Sequence, residues 1–255
     1  METAGVLTEY GIHPHPELLG RHSIRRAYVG ADPSPQLLSR LSKIEDLVYL
    51  RSFRPSFHIA VRFTKKPDAP EDPRLVQSLG RPIEGPLEDQ LLSPALHADD
   101  LSRNDWKVLE AIVAAPRAST STQARSAGVL PKTFRAHEKK LAAANGLRCA
   151  MILNLEGEAG VATYGIWLKV DESFDAKAVQ LPRLWDRPHW TRNPRGVYLL
   201  GSADNYFEAR ELELRLQSLR GVLSAEPLLP AGGFFLRERL IGWIRAEREL
   251  RWRTS

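Results

Sequence analysis

A single cysteine, Cys149, is all that this chain of 255 residues carries, which rules out an internal disulfide framework and suits a reducing cytoplasm. Cys149 follows a linker into a strand and is most simply a small buried hydrophobe. No apolar run is long enough to cross a bilayer, and 26% of the residues are charged, so no membrane partner is expected. No basic start is followed by an apolar segment, as a secretory signal requires. Also missing are a P-loop, a Gly-x-Ser-x-Gly elbow, zinc-ligand spacing and a dinucleotide glycine fingerprint. His13-Pro14-His15 could hold a metal, yet neither cysteine nor an acidic cluster lies near it in sequence. His189 sits in an aromatic and arginine-rich loop with Trp185, Arg187, Arg192 and Arg195 nearby; such a loop could grip an anion, but a packed domain surface is the plainer account. The expectation is therefore no catalytic residues, no metal, no cofactor and no enzymatic activity.

Against these absences stands the segment Leu101 to Leu147. Leu101, Val108, Leu109, Ile112 and Val113 recur at helical spacing, and Pro116 ends that helix. Ser119 to Ser121 open a second helix, with Thr120 and Gln123 spaced as a capping box, and Gly128 stops it. Pro131 starts a third helix, where its missing amide donor does no harm. Three short helices with tight turns form a helix-turn-helix, whose last helix normally enters the DNA major groove.

Taking Phe134 as inward returns Leu141 to the same side and turns Lys132, Ala136, Lys139 and Ala143 outward, flanked by Arg135 and Lys140. Small residues between cations let a helix approach base edges while the cations reach phosphates. Residues 101–148 hold nine lysines and arginines against three acids, a net of +6, whereas the whole chain carries +5. The positive charge is concentrated on the motif, as a footprint on nucleic acid requires. Lys132, Arg135 and Lys139 are expected on the DNA side with Thr133 and Ala136 nearest the bases, and Arg125 and Lys140 on phosphates. An ordinary helical hairpin with a solvated charged face is the bland alternative.

This stretch resembles the leucine-responsive regulator/AsnC family of transcription regulators. Leu101, Asp105 and Leu109 match the family's opening helix, Pro116-Arg117-Ala118-Ser119 its turn, and Gly128, Pro131, Thr133, Arg135, Leu141 and Gly146 the spacing of its later helices. Three features depart from the pattern: Leu130 where a capping serine is usual, Glu138 beside the buried stripe, and an extra residue in Ala142 to Asn145. The resemblance implies a cytoplasmic, sequence-specific regulator that binds double-stranded DNA as a homodimer or higher homo-oligomer. It also implies an amino-acid or small-metabolite effector, for which Arg195, Gly196 and Asp204 beside the turn from Asn193 to Gly196 are the candidates. The same resemblance extends to sirohaem decarboxylases, tetrapyrrole enzymes of AsnC-like fold; an assembly module that no longer binds DNA is a further alternative.

Beyond Gly146 the chain reads as strand (Ala162 to Val170), helix (Phe174 to Leu184), strand (Gly196 to Gly201), helix (Tyr206 to Arg220) and strand (Val222 to Leu229). This is close to a ferredoxin-like βαββαβ order. Gln77-Ser78-Leu79 recurs as Gln217-Ser218-Leu219 and Gly20 as Gly160, each 140 positions on. A strand (Ser23 to Ala31), a helix (Pro35 to Leu47) and a strand (Phe57 to Phe63) repeat the later order, pointing to a duplicated domain. Residues Ile12 to Gly20 look like the family's linker out of its helix-turn-helix, as though this copy had lost its own reader. The expected fold is α+β, with two ferredoxin-like domains flanking a winged helix-turn-helix. The expected divisions are 1–98, the helix-turn-helix at 99–158, 159–233, and an amphipathic C-terminal helix at 234–255. In that helix Leu236, Leu240, Trp243, Ile244 and Leu250 form a stripe that suits docking on its own domain or on a partner chain better than contact with nucleic acid.

Overall fold

The computed structural model describes residues 7–30, 35–54, 57–83, 94–153, 162–175, 189–192, 195–203 and 205–252. The fold is α+β. In the first part, β2 (His22–Val29), α1 (Pro35–Leu41), β3 (Leu47–Arg54), β4 (Phe57–Thr64), α2 (Pro73–Leu79) and the short β5 (Arg81–Pro82) follow one another. Their strands lie in the order β5-β2-β4-β3, the ferredoxin-like arrangement. The later part supplies β7 (Ala162–Val170), β8 (His189–Arg192), β9 (Arg195–Ala203), α6 (Tyr206–Gln217) and β10 (Val222–Phe235), in the order β10-β7-β9-β8. The helix read over Phe174 to Leu184 lies largely outside the described residues; Phe174 and Asp175 themselves are not helical.

Two strand assignments differ from the sequence reading. The helix read over Pro35 to Leu47 ends at Leu41, and Leu47 opens β3, which alternation alone did not reveal because both its faces are largely covered. The stretch around His189, read as a loop, holds β8, which is four residues long and offers little period to detect.

One strand joins the two parts. Val222 to Leu228 of β10 pair with β7, and Leu229 to Phe235 pair with β3, with a register shift between Pro230 and Gly232. The strand predicted to end near Leu229 therefore runs on into a second sheet edge, and the eight strands are continuous. The sheet is not flat. Phe57 of β4 and Trp167 of β7 have ring centroids 5.1 Å apart, although three strand spacings, about 14 Å, separate their strands along a flat sheet. The helix-free faces curl onto each other, and Phe53, Phe57 and Ile59 meet Trp167, Tyr198 and Leu228 in a buried aromatic core. On the opposite faces, α1 and α2 cover Tyr28, Leu50 and Ala60, and Leu212 and Leu216 of α6 cover Ile166, Leu168 and Leu199.

The helical module consists of α3 (Arg103–Ala114), α4 (Thr120–Ala127) and α5 (Pro131–Ala143). It is followed by β6 (Leu147–Leu153), which pairs antiparallel with β1 (Leu7–Pro14) as a two-stranded ribbon. The start of the chain thus belongs spatially with the module. At Gly11 this ribbon passes so close to Phe235 that a Cβ would lie 2.4 Å from the ring. The last helix, α7 (Arg237–Trp252), buries Leu240, Ile241 and Ile244 in one core with Trp106, Leu109 and Phe134 of the module and Phe63 of β4. Arg239 of α7 donates to the carbonyls of Ser42 (2.8 Å), Ile44 and Leu47. The helix therefore binds the module to the first ferredoxin-like unit.

Candidate nucleic-acid interface

The module is assembled by caps that its sequence encodes locally. Ser102 caps α3: its hydroxyl accepts from the Asp105 amide (3.2 Å), and the Asp105 carboxylate accepts from the Ser102 amide (2.8 Å). This capping box satisfies two amides that a helix start otherwise leaves bare. The box expected from Thr120 and Gln123 does not form. Ser119 caps α4 instead, accepting from the Thr122 amide, while the buried Gln123 donates 2.8 Å to the Ala115 carbonyl at the end of α3. There the amide is a second donor to a carbonyl that also accepts from the Ala118 amide (3.0 Å), and it ties α4 to the end of α3. Gly128 ends α4 at φ 65°, a left-handed conformation that costs glycine nothing. Leu130 precedes Pro131 at the start of α5, makes no side-chain cap and is 74% exposed.

Asp105 is the hub of the packing. Its side chain is fully buried and accepts from His137 Nδ1 (2.7 Å), Lys140 Nζ (2.7 Å) and the Ser102 hydroxyl (2.7 Å). Burial pushes the carboxyl up, but the bonds from Lys140, His137 and Ser102 prevail and hold it at about 2. An anionic Asp105 thus bridges α3 to α5 and sets the angle at which α5 is presented. Sequence comparison marked Asp105 only as part of the opening helix; its partners lie 32 and 35 positions away, beyond the reach of any local pattern.

On α5, Phe134 and Leu141 are buried while Lys132, Arg135, Ala136 and Lys139 are exposed and Thr133 is half-buried. Arg125 on α4 is also exposed. No described acid forms an ion pair with Arg125, Lys132, Arg135 or Lys139. Lys140 differs from this group: besides its 2.7 Å pair with Asp105, it donates to the Asp100 carbonyl at 3.2 Å. Glu138 is half-buried.

Behind this face, α3, α4 and α7 enclose a groove of about 440 Å³ edged by Arg103, Lys107, Arg245 and Arg248. Glu110 in the groove pairs with both Arg245 (2.6 Å) and Arg248 (2.5 Å). Arg245, Arg248 and Arg251 of α7 are therefore engaged with the protein's own acids, the last with Asp99.

The effector candidates are only partly described. Arg195 is exposed and pairs with Arg192 where β8 meets β9. Gly196 is buried and sits between Lys169 and Thr191 in the sheet. Asp204 lies outside the described residues. Among the described residues no cluster of three or more metal-binding side chains occurs, and no helix is long and apolar enough to cross a membrane.

No family model and no curated protein matches the chain. Solved structures do. AsnC of E. coli is similar at 18% identity and a TM-score of 0.38, covering 51% of this chain and 91% of that one. The transcriptional regulator NMB0573 of Neisseria meningitidis, in complex with L-methionine, is similar at 16% identity and 0.40, covering 51% and 89%. The sirohaem decarboxylase NirDL is similar at 10% identity and 0.49, covering 96% and 84%. At such identities the likeness concerns the fold. AsnC-type regulators are thus among its structural neighbours. The expectation of no enzymatic activity is corrected by this comparison: NirDL, similar over 96% of this chain, is an enzyme.

Proposed function

We propose that the chain is a sequence-specific DNA-binding transcription regulator of the leucine-responsive/AsnC type. The observation that carries this reading is the outer face of α5, where Lys132, Arg135 and Lys139 surround Ala136 without an acidic partner among the described residues. The small central residue permits close approach to base edges, and the surrounding cations suit phosphates. Lys132, Thr133, Arg135, Ala136 and Lys139 form the reading surface on this proposal, with Arg125 as a phosphate contact. Lys140 acts chiefly through Asp105.

The ferredoxin-like parts serve as the assembly and effector portion. Descent of the two parts from one duplicated domain is supported by β2 and β7 starting 140 positions apart, at His22 and Ala162. A homodimer would present two readers to two half-sites about one helical turn apart. A small metabolite held near Arg195 and Gly196 would regulate it.

Selection of bound fragments from random double-stranded DNA tests the reading directly. Enrichment of one sequence, lost in the Lys132→Ala, Arg135→Ala, Lys139→Ala triple variant, supports it. Equal retention by the triple variant at low salt removes α5 as the reader. A new visible absorption band on adding a tetrapyrrole, with no DNA enrichment, would favour the decarboxylase reading instead.

A further inference from the structure

We infer that the groove between α3, α4 and α7 is a binding site for a polyphosphate chain, separate from the DNA-reading face of α5. The groove has a volume of about 440 Å³, within the range of small-ligand sites. Arg103 and Lys107 line it from α3, and Arg245 and Arg248 from α7. Glu110 is the one acid among the described residues lining it, and the two arginines of α7 already share it at 2.6 and 2.5 Å. Four cations against one carboxylate leave an excess of three positive charges. Among the described residues no acid pairs with Arg103 or Lys107. Ala111 and Ala127 are buried in the floor and end at Cβ, which leaves the groove its depth.

The two cations of α3 stand where the helix alone disfavours them. Arg103 is its first residue and Lys107 follows four positions on, so both occupy one face at its start. A positive charge near a helix N-terminus opposes the macrodipole, and like charges spaced i, i+4 repel. Asp105, the acid of that first turn, gives no relief on this face, because its carboxylate is enclosed against α5 and engaged by His137, Lys140 and Ser102. A local conflict of this kind is what a charge-binding site retains. Glu110 meanwhile holds Arg245 through Nε and Arg248 through Nη1, which leaves both guanidiniums with further N–H donors. Arginine forks and a lysine point charge both recognise phosphate oxygens. One phosphate monoester carries only about −1.5 to −2 at pH 7, so three excess charges suit several phosphates in a row, free or as the tail of a nucleotide. The groove also spans from the module to α7, which Arg239 ties to the turn after α1. A bound chain would therefore tighten the module on the first unit; that consequence for regulation rests on the DNA reading, whereas binding itself does not.

Thermal melting and calorimetric titration of the full chain with sodium tripolyphosphate, orthophosphate and chloride at matched ionic strength provide the test. Tripolyphosphate should raise the melting temperature to a plateau, and orthophosphate should add little beyond chloride. The Arg103→Gln, Lys107→Gln double variant should melt as high as the wild type or higher without ligand, because the conflict at the start of α3 is gone. The same variant should bind tripolyphosphate at least about tenfold more weakly. The Lys132→Ala, Arg135→Ala, Lys139→Ala triple variant should bind it as the wild type does. Adenosine triphosphate binding more tightly than tripolyphosphate identifies a nucleotide as the source of the chain; equal affinity identifies a free polyphosphate. A flat wild-type melt in tripolyphosphate, or an unchanged affinity in the double variant, overturns the site. Loss of binding in the triple variant overturns it too, by moving the anion to α5. A DNA salt slope lowered by about 1.8 in the double variant, without tripolyphosphate binding, makes the groove a contact of the duplex backbone and overturns the ligand. Tripolyphosphate binding without any DNA binding would leave the site standing and remove the regulator reading.

Discussion

The Asp105 carboxylate and the Lys140 ammonium lie 2.7 Å apart, and this pair fastens the first helix of the module to its last. Lys140 is part-exposed while Asp105 is fully enclosed, so the two ends of the bond differ in what their loss exposes. Removing the lysine leaves a buried anion that still has His137 and Ser102. Removing the aspartate leaves four donors without their shared acceptor.

Asp105→Ala is therefore expected to lower stability by about 2–4 kcal/mol, toward the range for breaking a buried charged network. Lys140→Ala should cost less, on the order of 1 kcal/mol, because its partner keeps other donors and its own end is solvated. Urea midpoints at constant m-value read both. An aspartate variant as stable as the wild type would mean that the α3–α5 junction does not depend on the hub.

Phosphate contact and structural pairing separate the neighbouring lysines in DNA binding. Lys139→Ala should reduce the slope of log K against log salt by about 0.9, the value for one lost phosphate contact, with little change in melting temperature. Lys140→Ala should do the reverse, lowering the melting temperature while leaving most of the slope intact. Arg135→Ala should relax preference at one position at a cost of roughly 1–3 kcal/mol. Fluorescence anisotropy across a salt series distinguishes all three.

The histidines of the first strand and the turn after it set the response to acid. His13 and His15 are each lowered to about 4, chiefly by burial, with Arg148 nearby opposing a second positive charge. His13 donates from Nδ1 to the Pro14 carbonyl, and His15 Nδ1 accepts from the Glu17 amide. In the unfolded chain both titrate near 6.5, so between that value and about 4 the unfolded state binds more protons. Their contribution is present above pH 6.5 and lost progressively as pH falls toward 4. Asp105, held at about 2, adds a further loss only below its unfolded value near 3.8. The stability measured by urea at pH 7, 5.5 and 4.5 should fall at each step, and His15→Gln should flatten the decline. A profile flat down to pH 4.5 would contradict the burial of these rings.

How much of this was legible in the sequence follows from the distance between partners. The three helices of the module were readable because Ser119, Gly128 and Pro131 each act within a turn of their own position. The stripe of Leu240 and Ile244 in α7 was readable for the same reason, although the face it covers was not. The ribbon was invisible because Ile12 pairs with Cys149, and neither strand carries a signal naming the other. The burial of Arg51 was hidden likewise, because the strand that pairs with β3 there, β10, lies more than 180 positions later. Gln123 was misread because the capping pattern and the carbonyl it actually donates to both lie within reach of the same side chain.

The attachment of α7 yields the last expectation. Arg239 gives its N–H groups to the carbonyls of Ser42, Ile44 and Leu47, the turn between α1 and β3. Burial lowers the guanidinium's affinity for its proton, and the carboxylates of Asp46 and Glu45 offset only part of this. Beside it, Trp243 stacks on Phe63 and lies under the Arg21 guanidinium, 3.8 Å from the ring centroid. Arg239→Met keeps much of the side-chain volume but leaves these carbonyls to find water, an expected cost of about 2–3 kcal/mol. Trp243→Ala removes a large packed ring and should cost about 3 kcal/mol or somewhat more. If α7 couples the module to the first unit, both variants should also accelerate amide exchange in β3, far from the substituted residue in sequence. Destabilisation confined to α7, with β3 still protected, would make the helix a passive cover over α3, and the module would then move independently of the sheet.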